Sequence, residues 1–226
     1  MSDPTWSALE SNPETINQFL QRIGVDSLEC VDVFSFDEEM LAFIPAPHLA
    51  LILCFPYDEG KDVVAESYEV QKKLGRQKDQ EDKVFFMHQR IHNACGTFAL
   101  FHSLANLDEV VDLGKGYFRN WLDKAVDKKE DERSDLLAAD GDLAAAHEQA
   151  AADGDTEQSE KVPYHFITYV SKNGNLYEID SSSPGPRFIC PTTSNTLLKD
   201  AGKAINELME KIKSPSFAAM ALVGKQ

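Results

Sequence analysis

Apolar residues along this chain fall into short runs whose periods alternate between strand and helix. Leu49-Ala50-Leu51-Ile52-Leu53-Cys54-Phe55 is unbroken, as expected of a strand buried on both faces, and Pro45 and Pro47 punctuate its entry. Val31-Asp32-Val33-Phe34-Ser35-Phe36 alternates and predicts a strand. Before it, Ser11-Asn12-Pro13-Glu14 reads as a helix start with proline at the first position, leading into a helix over 15–23 that Gly24 closes. A short acidic helix is predicted over 37–43, and a charged, helical or loose segment over 66–83. Val84-Phe85-Phe86-Met87 is strand-like and runs into a polar loop, after which 98–104 is apolar and helical. Further on, 164–170 and 176–180 read as strands, joined by Asn173-Gly174, a strong hairpin signal. Helical spacing over 197–212 would cover the sheet, and 217–223 reads as a final strand.

One stretch breaks this rhythm. Residues 123–159 are rich in Asp, Glu, Lys and Ala, with few large apolar residues beyond Leu136, Leu137 and Leu143. The alanine-rich part over 143–152 has high helix propensity but little to bury. A solvated, partly helical and mobile excursion is the expectation.

At 226 residues the chain is long enough for one sizeable core, and a single domain is expected. A formal net charge of -16 argues against nucleic acid and against anionic membranes, both of which need a basic footprint. Most of the acidity serves solubility; an acidic rim would also suit a basic partner such as a cationic peptide tail. The four cysteines, Cys30, Cys54, Cys95 and Cys190, form no C-x-x-C pair, which disfavours zinc clusters and thioredoxin-like redox sites. Cys30, Cys54 and Cys190 adjoin or lie within apolar runs and read as core residues. A reduced, cytoplasmic setting is expected, and the longest apolar run is too short to cross a bilayer.

Cys95 stands apart. It follows the polar loop and precedes the helical run, so its thiol lies at a helix N-terminus, where unpaired N–H groups and the macrodipole favour a thiolate. Gln89, just upstream, can donate a hydrogen bond into the same space, an arrangement suited to acyl transfer. Six histidines compete as its base. His102 lies two helical turns away and reads as a partly buried, satisfied residue; His88 and His92 belong to the loop surface. His147 falls in the solvated excursion, and His48 has no acidic partner in view. His165 has one: with Asn173-Gly174 as the turn, Ile167 faces Asp180, and His165 is the diagonal neighbour on the same face. Alone, that pair would be an ordinary cross-strand contact. Beside Gln89 and Cys95 it reads as the base and orienting acid of a thiol enzyme.

Gln89, Asn93-Ala94-Cys95-Gly96-Thr97, the histidine strand and Leu176-Tyr177-Glu178-Ile179-Asp180 resemble the ubiquitin C-terminal hydrolases, the small thiol deubiquitinases. Trp6, Leu9-Glu10, Asn12-Pro13-Glu14, Val31-Asp32-Val33 and the excursion before the histidine extend the likeness nearly end to end. Two positions depart from the family pattern: Ser181 follows Asp180 where relatives usually carry glycine, and Tyr164 precedes the histidine where leucine is frequent. The resemblance implies an α/β fold of the α+β type: a papain-like cysteine protease with a central antiparallel sheet flanked by helices and a knotted backbone. It implies one catalytic domain over 1–226, with an active-site crossover loop at about 137–160. It further implies a Cys95–His165–Asp180 triad with Gln89 as oxyanion donor, a thioester intermediate and no metal or cofactor. The expected reaction cleaves small adducts or short peptides from the C-terminal glycine of ubiquitin, with NEDD8 left open as an alternative. Leu9, Glu10, Glu14, Asp32, Tyr164 and Phe217 become expected ubiquitin contacts, and the enzyme an expected monomer. Competing readings are a non-catalytic ubiquitin-binding protein and another thiol enzyme, such as an arylamine transferase or transglutaminase.

Overall fold

Asn173 and Gly174 adopt φ of 50° and 77°. Two positive-φ residues in succession make the tight turn whose twist matches antiparallel strands. They join β3 (Tyr164–Lys172) to β4 (Asn175–Ile179) in the register read from the sequence, with Lys172 opposite Asn175 and Thr168 opposite Ile179. In the computed structural model, which describes residues 4–57, 62–75, 82–156 and 163–225, four more strands complete an antiparallel sheet. β2 (His48–Pro56) runs along the other side of β3. β6 (Ala218–Gly224) fits between β2 and β1 (Leu28–Asp32), and β5 (Arg187–Pro191) closes the far edge. The order is β1-β6-β2-β3-β4-β5.

Helices cover both faces. Strand periodicity sends Ala50, Ile52 and Cys54 of β2 into a core beneath α4 (Cys95–Leu107), while Leu51, Leu53 and Phe55 face a second core beneath α8 (Leu197–Ile212). This is the helix-flanked antiparallel sheet that the resemblance implies. α1 (Pro13–Arg22) starts as predicted: the Asn12 side chain caps the Glu14 N–H at 2.9 Å, and Gly24 follows the helix at φ 84°. α2 (Glu38–Leu41) and α3 (Val63–Lys73) fall within or near their predicted segments. Residues 76–81 of the charged stretch lie outside the described residues.

α4 is buried along its whole length, and its polar side chains are used for tertiary bonding. Ser103 Oγ and Thr168 Oγ1 lie 2.7 Å apart, and Thr168 donates onward to the Leu51 carbonyl at 3.0 Å, stitching helix to sheet. Asn106 Oδ1 accepts the Phe85 N–H at 2.8 Å, while its Nδ2 donates to the Phe85 carbonyl at 3.0 Å and the His102 carbonyl at 2.8 Å. His102 Nε2 accepts the Met87 N–H at 3.0 Å. Here the expectation of a strand over 84–87 fails. The segment belongs to no sheet, because side chains of α4 satisfy backbone groups that a neighbouring strand would otherwise take.

Two further expectations are corrected. The first strand spans Leu28–Asp32 rather than 31–36, since its ladder with β6 ends at Asp32 opposite Met220. Asn17 of α1 bonds both the N–H and the carbonyl of Cys30 and covers that strand's outer edge, whereas Phe34 stands 84% exposed. The excursion is no solvated arm. It is helical as expected, but after α5 (Tyr117–Ala125), which buries Trp121 just ahead of it, α6 (Glu130–Ala138) and α7 (Gly141–Ala152) bury Leu137, Leu143 and Ala150 in the same core as α4. Alanine supplies little area but permits close approach, and α7 seats against α1. Residues 157–162 lie outside the described residues.

The Asn106 bridge gives a stability prediction. Asn106→Ala strands two buried backbone groups of Phe85 and should cost about 2–4 kcal/mol, measured by urea unfolding at neutral pH. A loss under about 1 kcal/mol would mean that the 84–87 segment finds other partners.

Candidate active site

The site begins with a turn. Asn93 takes φ 61°, Ala94 donates to the Ile91 carbonyl at 3.4 Å, and the helix opens at Cys95. The first-turn N–H groups of α4, including that of Cys95, have no carbonyl available within the helix. Gly96 is closely packed: a Cβ there would lie 3.1 Å from Leu9 Cβ, a tight contact, and 3.6 Å from Phe166 Cδ2.

β3 delivers His165 to the same place. Its Nε2 lies 2.7 Å from Asp180 Oδ1, which also accepts the Ser182 N–H at 2.8 Å. The Cys95 sulfur lies close enough to interact with the ring, and with Nε2 on the carboxylate, Nδ1 is the nitrogen left for the thiol. Phe55 meets the ring edge-on at 6.0 Å and Tyr57 lies against it at 5.0 Å, leaving His165 6% exposed. Burial opposes a charge on this ring, but the Asp180 carboxylate and then the Cys95 sulfur outweigh it and hold the imidazole well above its ordinary range.

Gln89 closes the other side of the turn. Its Nε2 donates to the Ile91 carbonyl at 3.0 Å, the same oxygen that Ala94 uses, and its backbone N–H donates to Ser181 O at 2.9 Å. One N–H of its carboxamide is left over, beside the residue that leads into Cys95. The fold therefore brings Gln89, Cys95, His165 and Asp180 together from three separate segments.

No other described cysteine or histidine reproduces this setting. Burial pushes the Cys54 thiol up to about 12 and raises those of Cys30 and Cys190. His48 Nε2 bonds the Ile44 carbonyl, His88 pairs with Asp131 at 2.9 Å, and His92 is exposed. His102 is fully buried, more than the sequence suggests, and burial drives its pKa down to about 3. His147 is corrected outright: instead of sitting in solvent it is 0% exposed. Its Nε2 donates to the Ser7 carbonyl at 2.8 Å and its Nδ1 accepts from Thr97 Oγ1 at 2.7 Å, while Trp6 stacks on it at 4.5 Å. The available signal was its helical spacing with Leu143, Ala146, Ala150 and Ala151, which marks one small apolar face.

The remaining predicted residues scatter around this centre. Leu9 is buried over Gly96, and Glu10 accepts the Asp155 N–H at 2.9 Å. Glu14 lies exposed in the first turn of α1 and Asp32 exposed at the end of β1. Tyr164 precedes His165 and is exposed; Phe217 is partly exposed and stacks on Phe36 at 6.2 Å. Among the described residues, no cluster of His, Cys, Asp and Glu could hold a metal ion, and no helix is long and apolar enough to cross a membrane.

A thiol at the head of a buried helix, faced by an imidazole carried on an antiparallel sheet, defines a cysteine-type hydrolase of papain-like architecture. Comparison with known proteins narrows the class. The model of "Ubiquitin carboxyl-terminal hydrolase, family 1" matches residues 6–210. A Drosophila melanogaster ubiquitin carboxyl-terminal hydrolase is 37% identical over 227 residues, covering 98% of this chain and 99% of the relative. Human ubiquitin carboxyl-terminal hydrolase isozyme L1 is 34% identical, covering 95% and 96%. The Trichinella spiralis UCH37 catalytic domain, solved bound to ubiquitin vinyl methyl ester, shares the fold at a TM-score of 0.77 and 24% identity, covering 100% and 98%. The chain belongs to the ubiquitin carboxyl-terminal hydrolase family and is a thiol deubiquitinating hydrolase.

His102 generates a pH prediction. Its folded pKa of about 3 lies below the ordinary 6.5, so protons bind preferentially to the unfolded chain as pH falls below 6.5. The stability it confers is complete above pH 6.5 and drains away between 6.5 and 3. Between about pH 7.5 and 5 the wild type should lose about 2 kcal/mol more than His102→Gln, which keeps an acceptor for Met87. Parallel urea-stability curves for the two proteins would refute it.

Proposed function

We propose that this enzyme releases small adducts or short peptides from the C-terminal glycine of ubiquitin, with Cys95 as nucleophile, His165 as acid–base, Asp180 as orienting acid and Gln89 as oxyanion donor. One observation carries the reading: His165 is bonded to Asp180 at 2.7 Å and interacts with the Cys95 sulfur, with the Gln89 carboxamide on the same turn. The Cys95 thiolate attacks the glycine carbonyl carbon, and the carbonyl π electrons move onto oxygen. The Cys95 N–H and the free Gln89 Nε2 hydrogen hold that oxyanion; loss of one such donor typically costs roughly 10²–10³ in rate. Collapse expels the amine, which takes its proton from His165 and leaves a thioester. His165 then removes a proton from water, hydroxide adds to the thioester, and collapse returns the thiolate and frees ubiquitin's carboxylic acid, which loses its proton to solvent.

Ubiquitin as partner is supported by the names of the relatives and by the ubiquitin adduct in the Trichinella neighbour. The net charge of -16 suits the Arg-rich tail that precedes ubiquitin's terminal Gly-Gly. Glu10, Glu14, Asp32 and Tyr164 are the tail-facing and rim contacts, with Leu9 packing the first turn of α4. Phe217, with the exposed Phe34 and Phe43, offers apolar area for a folded partner. The segment 137–160 serves as the crossover that limits leaving-group size. Its first half is held by α7, and the chain beyond Asp153 leads into β3 one residue before His165. A monomer working in the reducing cytoplasm accords with four free cysteines.

Cys95→Ala should abolish hydrolysis of a ubiquitin C-terminal fluorogenic amide and retain ubiquitin binding by calorimetry. Turnover by that variant sinks the mechanism. With paired reporters at matched concentration, ubiquitin should exceed NEDD8 in kcat/KM, and the reverse order would reassign the modifier.

A further inference from the structure

One buried hydroxyl beside the site has no part in the steps above. Ser181 follows Asp180 and is 3% exposed. Its Oγ donates to Gln89 Oε1 at 2.8 Å, and its carbonyl accepts the Gln89 backbone N–H at 2.9 Å. At the opposite end of the carboxamide, Nε2 donates to the Ile91 carbonyl at 3.0 Å. A backbone carbonyl only accepts, so Ile91 decides which end of the amide is nitrogen, and the serine hydroxyl must then serve the oxygen. A planar amide held at both its terminal atoms cannot rotate about its last torsion. The direction of its remaining N–H is thereby set. A hydrogen bond accepted at the amide oxygen also draws electron density from nitrogen and strengthens that N–H as a donor.

We propose that Ser181 is a positioning residue for oxyanion stabilisation, acting through Gln89 by clamping the oxygen end of its carboxamide. The proposal rests on the Cys95 chemistry set out above. Ser181 touches no reacting atom. It occupies the position where the chain departs from the usual glycine after the aspartate, and glycine has no hydroxyl to offer. The rival role is indirect: because Ser181 adjoins Asp180, its loss could instead disturb the imidazole.

A four-enzyme cycle separates these roles: wild type, Ser181→Ala, Gln89→Ala and the double variant, assayed on a ubiquitin C-terminal fluorogenic amide. Ser181→Ala should lower kcat about tenfold, inside the roughly 10²–10³ that loss of a donor costs, with little change in KM. In the Gln89→Ala background it should have no further effect, as expected for residues acting as a unit. Iodoacetamide alkylation of Cys95 passes through no oxyanion, so its rate in Ser181→Ala should match wild type and also report an intact fold. Equal losses in both backgrounds, unchanged kcat, or slowed alkylation would each overturn the proposal. One readout needs no substrate: the Gln89 side-chain amide resonances in ¹H–¹⁵N spectra should move in Ser181→Ala. Wild-type enzyme that alkylates normally but leaves the ubiquitin amide uncut would refute the proposed function, and unmoved Gln89 resonances would refute the Ser181 clamp independently.

Discussion

A short chain of buried hydroxyl bonds carries this architecture: Ser103 to Thr168, and Thr168 to the Leu51 carbonyl. Ser103 belongs to the helix that starts with Cys95, and Thr168 to the strand that carries His165. Fixing one to the other fixes the distance between sulfur and imidazole. Apolar contact alone would hold α4 on the sheet but would tolerate sliding, since hydrophobic burial is non-directional. Hydrogen bonds in a dry interior are directional, and leaving either partner unsatisfied is costly. Asn106 and His102 extend the same logic to the 84–87 segment, which delivers Gln89 to the head of the helix.

The electrostatics follow from that placement. A ring as buried as His165 would resist protonation, yet Asp180 and the sulfur reverse the balance. His102 and His147 are also buried, but neither has a carboxylate at hydrogen-bond distance, Glu148 standing 3.9 Å from the His147 ring, and both move the other way. Burial is common to the three histidines, so the carboxylate is what distinguishes the base from the two that serve as scaffold. Likewise, four free cysteines share one chain, but Cys95 alone pairs a helix N-terminus with an imidazole.

How much of this could be read in advance depended on how local each determinant is. Asn173-Gly174 sets a hairpin register by backbone conformation, so the diagonal placement of Asp180 beside His165 was legible from a dipeptide. The Pro13 helix start, the unbroken 49–55 run and the 197–212 helix were legible for the same reason. The 84–87 segment was misread because its hydrogen-bond partners are side chains more than a dozen residues away on α4, which no period reveals. The alanine-rich α7 was misread because small residues bury little area individually and matter only against a complementary face, here α1. His147 was lost with it, and the Ser181 contact with Gln89 depends on two loops meeting. The first strand was misplaced because alternation continues past Asp32 into Phe34 and Phe36, after its pairing with β6 has stopped.

The position of β6 bears on biosynthesis. It is the last strand in sequence, yet it lies between β1 and β2, with Cys54 opposite Ala218 and Asp32 opposite Met220. While a ribosome is still adding residues before 218, two apolar strand edges that will never touch each other stand open in the nascent chain. The gap between them can be filled only once residues 218–224 have left the exit tunnel, so the middle of the sheet cannot be assembled strand by strand in the order of the chain. Until that moment the unfilled slot is the region most exposed to capture by other strands or by chaperones.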